Sequence, residues 1–133
     1  MTNAAPQERR VLVVDDDVAV GRVFEDLLRA QGFTVRVAYS GGEGVRAVRE
    51  CRPDVVLLDV AMPDGNGLDV LTTFETIDRS IPVIMVTGSL DDRLCRLAME
   101  RGAYSWLTKP VDLGTLERVI TLALGRRPYY SAR

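Results

Sequence analysis

Asp15, Asp16 and Asp17 follow the apolar run Val11-Leu12-Val13-Val14, and Asp59 closes a second run, Val55-Val56-Leu57-Leu58. A carboxylate can attack phosphorus as a nucleophile, and several together make a hard oxygen site for a cation such as magnesium. Short valine-rich runs bounded by polar residues read as strands buried on both faces of a parallel sheet. Acids at their C-terminal ends then project into the crevice where open α/β sheets place their ligands. Crowded there, they repel: two unit charges about 4 Å apart cost roughly 4 kcal/mol at an effective dielectric near 20. A cation is implied.

One counter-charge is available within the chain. Of its seventeen basic residues sixteen are arginine, and Lys109 is the one lysine. Lysine presents a compact, strongly hydrated point charge where arginine presents a planar fork, so the two are not interchangeable at a crowded anion site. There is no histidine, which excludes Ser-His-Asp and Cys-His catalysis and most zinc chemistry. Cys51 and Cys95 form no CxxC pattern and are expected to be reduced and structural. A net charge of -2 gives no basic field, so direct nucleic-acid binding by this chain is not expected. No apolar stretch approaches the roughly 20 residues of a membrane span, and the first ten residues lack the apolar region of a signal peptide. A cytoplasmic location without membrane association is the expectation.

The elements that must position these groups are legible as periodicity and punctuation. At 133 residues the chain suffices for one domain with a genuine core. After a flexible leader over residues 1–9, strand and helix alternate five times with short connections, the pattern of a parallel sheet covered on both faces. Strands are predicted over residues 10–14, 33–38, 55–58, 83–86 and 104–107. Helices are predicted over residues 18–30, 41–51, 68–77, from the Ser89-Leu90-Asp91-Asp92 start to 101, and to 124 after Asp112. Asp17 and Asp112 read as N-caps, and Ser40-Gly41-Gly42-Glu43 as a capping box. Gly32, Gly102 and Gly125 are placed to end helices. The segment from Met62 to Gly67 reads as a loop, Asp64 as a turn residue in it, and residues 126–133 as a tail or the start of a linker.

The strand ends thus deliver Asp15 and Asp16, Asp59, Thr87, and Lys109 to one edge of the sheet. Val13-Val14-Asp15-Asp16, Asp59-Val60-Ala61-Met62-Pro63, Thr87-Gly88 and Thr108-Lys109-Pro110, in this order, resemble the receiver domain of two-component response regulators over residues 10–125. The resemblance implies an α/β fold: a (βα)5, doubly wound, flavodoxin-like five-stranded parallel sheet with strand order 2-1-3-4-5. It implies that Asp59 accepts a phosphoryl group from a phosphohistidine on a sensor histidine kinase or histidine phosphotransfer protein. Magnesium, with manganese as a substitute, would be held by Asp16 and Asp59 directly, by Asp15 through water and by the backbone carbonyl of Ala61. The metal, Lys109 and the Thr87 hydroxyl would surround the phosphoryl oxygens, the positioning and charge stabilisation that phosphoryl transfer requires. Such a protein is not a conventional enzyme but catalyses its own phosphotransfer and autodephosphorylation. Ala61 and Ser89, both small, flank the expected site and leave it open to water.

In the same family Thr87 moves toward the phosphoryl group and an aromatic residue on the fifth strand rotates into the space behind it, reshaping the face made by the fourth helix, fifth strand and fifth helix. Trp106 stands at that position. Tyrosine or phenylalanine is more usual, and the larger indole implies incomplete inward rotation. The output would be a downstream protein target or an output domain outside these residues, with activation-dependent dimerisation through the last helix and fifth strand. Two alternatives are a degenerate receiver serving as a phosphorylation-independent interaction module and a magnesium phosphohydrolase with an aspartate nucleophile. The phosphohydrolase pattern needs a second aspartate two residues after the nucleophile, where this chain has Ala61. Taken without its neighbours, Trp106 also reads as core filling.

Overall fold

The computed structural model describes residues 8–62, 65–88 and 92–125. The expected leader lies mostly outside these residues, and the tail, Ser89 and Asp64 entirely so. Five strands form one parallel sheet: β1 (Arg10–Val14), β2 (Thr34–Ala38), β3 (Val55–Asp59), β6 (Val83–Thr87) and β7 (Ser105–Thr108). Between β3 and β6 the chain adds a two-residue antiparallel ribbon, β4 (Ala61–Met62) and β5 (Gly65–Asn66). The helices are α1 (Val18–Ala30), α2 (Gly41–Glu50), α3 (Gly67–Ile77), α4 (Asp92–Glu100) and α5 (Leu113–Leu124). The main sheet runs β2-β1-β3-β6-β7, which is the expected 2-1-3-4-5 order once the ribbon is set aside.

Period-two alternation divides the interior into two cores. Leu12, Val14, Val56, Leu58, Val83 and Met85 face Phe74 and Leu71 of α3 and Ala98 of α4. Val11, Val13, Val55, Leu57, Ile84 and Val86 face Phe24 and Leu28 of α1 and Leu116 and Ile120 of α5. β3 and β6 are buried at every position. The edge strands β2 and β7 keep exposed or half-buried positions, as expected where one side of the strand has no neighbour.

The capping signals work as read, with one shift. Asp17 accepts from the amides of Ala19 and Val20, and Asp112 from that of Thr115. Ser40 accepts from the Glu43 amide at 3.1 Å, but Glu43 reaches past the cap to the Tyr39 amide at 2.8 Å. Gly32 and Gly102 end α1 and α4 with positive φ, 97° and 107°, where any side chain would be strained. Gly125 closes α5 at φ -91°. Among the described residues no helix is long and apolar enough to cross a membrane. Cys51 is exposed, Cys95 buried, and neither is joined in a disulfide.

At Gly102 the missing side chain has a further role, because a Cβ there would lie 2.6 Å from the Glu75 carboxyl. Glu75 is thereby tucked against the end of α4. Burial raises its carboxyl to about 7, with Arg79 pulling down and Asp78 pushing up. The unfolded chain ionises this group near 4.5, so stability falls as pH rises from there through 7 and the full penalty is present above 7. Glu75→Gln is expected to stabilise the protein at pH 8 relative to its effect at pH 4.5, by about 1–2 kcal/mol after allowance for partial exposure. Thermal or urea unfolding of both proteins across that range checks it, a pH-independent difference being the contrary result.

Candidate functional site

Main-chain bonds prolong the sheet beyond its strand ends and carry the candidate site residues with it. The Asp15 amide donates to Ala38 (3.0 Å), the Val60 amide to Val86 (3.0 Å), and the Lys109 amide to Thr87 (2.7 Å). Backbone geometry therefore sets the spacing of the acids, the threonine and the lysine before any side chain contributes. Asp15, Asp59 and Thr87 are buried, at 1%, 5% and 4% exposure, whereas Asp16 is only half-buried.

Asp15, Asp16 and Asp59 each present a carboxylate oxygen within 4.8 Å of the others. Lys109 Nζ donates to Asp15 Oδ2 at 3.2 Å and stands 3.8 Å from Asp59 Oδ1. The other Asp15 oxygen accepts from the Asp17 amide at 2.9 Å, so both oxygens of Asp15 are engaged. Asp59 Oδ1 accepts from the Ala61 amide at 3.2 Å. Its Oδ2 has no donor among the described residues. Among the described residues, one ammonium faces three carboxylates, an excess of negative charge in the crevice.

The electrostatics follow from this imbalance. Burial first, then the Asp15 charge, pushes the Asp59 carboxyl above its ordinary value, and Asp16 adds to the push. The Ala61 amide and Lys109 oppose it without cancelling it. A buried carboxylate held back from ionising by neighbouring acids gains from a hard cation placed among them. Oxygen-only donors at these separations, one of them open to solvent, fit magnesium, which binds through one or two carboxylates and keeps several waters.

Thr87 ends β6, its Cα paired with Thr108, while Trp106 pairs with Met85. Paired residues in a parallel register project to the same face of the sheet, so Trp106 and Thr87 lie on one face, two residues apart along the strands. Trp106 is 40% exposed. That corrects its reading as core filling, since it is Leu107, on the opposite face, that enters a core.

The ribbon after Asp59 was not legible in the sequence, which reads there as a plain loop. Ala61 pairs with Asn66 and Met62 with Gly65, and the Gly67 amide donates to the Val60 carbonyl at 3.1 Å. Glycines in a turn-rich segment do not reveal which of them touches the site. A second unforeseen feature is a groove of about 530 Å³ beside Lys109, lined by Val20, Val23 and Leu27 of α1 with Pro110 and Val111.

Comparison with known proteins bears on this arrangement. The transcriptional regulatory protein PrrA of Mycobacterium tuberculosis is 41% identical over 120 residues, which cover 89% of this chain and 51% of that protein. The DNA-binding response regulator MtrA of the same organism is 39% identical over 102 residues, 77% of this chain and 44% of that protein. The chain thus spans about half the length of these relatives. Among solved structures, a response regulator receiver domain protein from Clostridium thermocellum superposes with TM-score 0.85 at 35% identity, over 89% of this chain and 95% of that one. The chemotaxis protein CheY4 of Vibrio cholerae superposes with TM-score 0.85 at 26% identity, over 89% and 100%. The family model described as response regulator receiver domain matches residues 11–121, and with its motifs at the C-terminal edge of the sheet the chain belongs to the receiver domains of two-component response regulators.

Proposed function

We propose that this receiver, over residues 10–125 between a leader and a C-terminal tail or the start of a linker, is a phosphorylation-driven switch in which Asp59 is the phosphoacceptor. The observation that carries the reading is the convergence of three carboxylates within 4.8 Å around a single ammonium, with Lys109 3.8 Å from Asp59. An Asp59 oxygen attacks the phosphorus of a phosphohistidine. The new O–P bond forms as the P–N bond breaks, and the leaving imidazole takes up a proton from solvent. Bound magnesium, or manganese in its place, supplies charge neutralisation and a template for the transferring group. Asp16 and Asp59 would hold it directly, Asp15 through water because both its oxygens already have donors, and Ala61 by its carbonyl. Lys109 and the Thr87 hydroxyl stabilise the phosphoryl oxygens. Hydrolysis of the acyl phosphate resets the switch, and the small Ala61 side chain leaves water a path to it.

The groove between α1 and the segment Lys109-Pro110-Val111 supports a protein phosphodonor. It offers apolar surface beside the lysine, where a helix bearing phosphohistidine on a sensor kinase or phosphotransfer protein would dock within reach of Asp59. The output face comprises α4, β7 and α5. Two relatives are named as DNA-binding or transcriptional regulators, which supports an output domain or a separate protein target as the recipient of the signal. Response regulators act in the cytoplasm, and we assign this chain there.

Trp106 provides the test. With magnesium present, beryllium fluoride mimics the phosphorylated aspartate, and its addition is expected to change Trp106 fluorescence saturably. A 40% exposed indole that rotates only partway inward will shift its emission toward the blue without reaching that of a buried tryptophan. Emission characteristic of full burial would overturn the steric restriction. No change, together with no phosphoryl uptake from acetyl phosphate, would favour the phosphorylation-independent interaction module.

A further inference from the structure

The contact made by Gly67 reaches directly into the loop that carries the phosphoacceptor. Gly67 is the first residue of α3. A Cβ on it would lie 2.7 Å from the Asp59 carbonyl oxygen, 2.7 Å from Val60 Cα and 2.7 Å from the Val60 carbonyl oxygen. All three are backbone atoms, so no side-chain rotation can make room. The Gly67 amide donates to that same Val60 carbonyl at 3.1 Å. Next along the chain, the Ala61 amide orients Asp59 Oδ1 at 3.2 Å, and Ala61 is pinned to Asn66 by the ribbon that leads back into Gly67. The start of α3 and the Asp59–Val60 peptide thus meet face to face, clasped by the Ala61–Asn66 and Met62–Gly65 pairs.

We propose that Gly67 is a positioning residue for the phosphoryl-transfer site: by letting the start of α3 lie against the Asp59–Val60 peptide, it sets the orientation of the Asp59 carboxylate and of the Ala61 carbonyl. This rests on the phosphoacceptor reading above. Any Cβ at residue 67 pushes α3 and the 59–60 peptide apart. The displacement passes to the Ala61 amide, which then no longer holds Asp59 Oδ1 where metal and phosphorus require it. Supporting groups that orient ligands typically govern metal affinity by 10- to 100-fold.

The test compares wild type, Gly67→Ala and Gly41→Ala, each checked for native circular dichroism and thermal unfolding without metal. Gly41 is equally crowded, but by the Val70 side chain at 2.7 Å, between α2 and α3, so it controls for lost packing. Magnesium affinity of the folded protein is read by calorimetry and phosphoryl uptake from acetyl phosphate by mass spectrometry. Gly67→Ala is expected to weaken magnesium binding and slow uptake by roughly 10-fold or more, and Gly41→Ala to leave both as in wild type. Magnesium affinity and uptake in folded Gly67→Ala equal to wild type would overturn the positioning role while leaving the phosphoacceptor reading standing. Absence of magnesium binding and uptake in wild type itself would overturn both. Should Gly67→Ala not fold, hydrogen exchange of the wild-type Gly67 amide decides: slowing on magnesium saturation supports the clasp, and unchanged exchange overturns it.

Discussion

Asp59→Asn is expected to abolish phosphoryl uptake and the beryllium fluoride response of Trp106, while making the metal-free protein more resistant to heat at neutral pH. The first effect follows from chemistry, since an amide oxygen is not a nucleophile for an acyl phosphate. The second follows from the charge balance. Burial and the neighbouring Asp15 raise the Asp59 carboxyl above its ordinary value of 3.8, so the folded state holds the proton more tightly than the unfolded chain does. Stability present below that ordinary value is lost as pH climbs through the raised one. Asparagine carries no charge and escapes the loss. The gain should be present at pH 7.5 in EDTA, shrink at acid pH below 3.8, and be reversed by saturating magnesium, which stabilises the wild type by binding its folded state. Mass spectrometry after acetyl phosphate and unfolding scans at the two pH values check both halves. Wild-type uptake in the asparagine protein would remove Asp59 from the mechanism. An undiminished advantage at acid pH would remove the electrostatic explanation.

Lys109→Met is expected to act in the opposite direction on stability and in the same direction on chemistry. The ammonium lies close to two buried acids, 3.2 Å from Asp15 and 3.8 Å from Asp59. Removing one partner of a buried pair typically costs about 3–5 kcal/mol because the remaining charge is left uncompensated. Lys109 keeps 27% of its side-chain surface exposed, so a loss of about 2–3 kcal/mol is the expectation at neutral pH. It should diminish in acid, where the Asp59 carboxyl, held above its ordinary value, takes up its proton. Phosphoryl uptake from acetyl phosphate should fall roughly 100-fold, the usual consequence of deleting one preorganised donor from a transfer site. Lys109→Arg should restore much of the stability, since it supplies charge, but not the switching response, because a planar fork does not replace a compact ammonium in so small a space. Denaturant unfolding separates the first effect, and Trp106 fluorescence with beryllium fluoride the second. An arginine protein with full response would show that charge suffices.

Much of this was legible in the residues. Val55 to Leu58 could be read as a doubly buried strand because uniform apolarity over so short a run has few other stable uses. Asp17 and Asp112 could be read as caps because a short carboxylate next to free amides is a local arrangement that needs no distant partner. The set Asp15, Asp16, Asp59, Thr87 and Lys109 was likewise visible, since each closes or follows a recognisable strand. Trp106 was ambiguous for the opposite reason. In an edge strand with both polar and apolar neighbours, alternation does not say which face meets a core, and the register with Met85 was needed to resolve it. The ribbon after Asp59 was missed because two-residue strands carry no periodicity.

The sequence by itself therefore determined the order of the five main strands and five helices, the fold class and the identities of the groups that could do chemistry, because periodicity, capping and strand-end position are local properties of the chain. Only the tertiary structure decided how those groups stand to one another. That Lys109 sits closer to Asp15 than to Asp59, that both Asp15 oxygens are already engaged and that Gly67 lies against the Asp59–Val60 peptide are relations between distant segments. They arise from strand register and helix packing across the sheet, and no pattern read along one segment contains them.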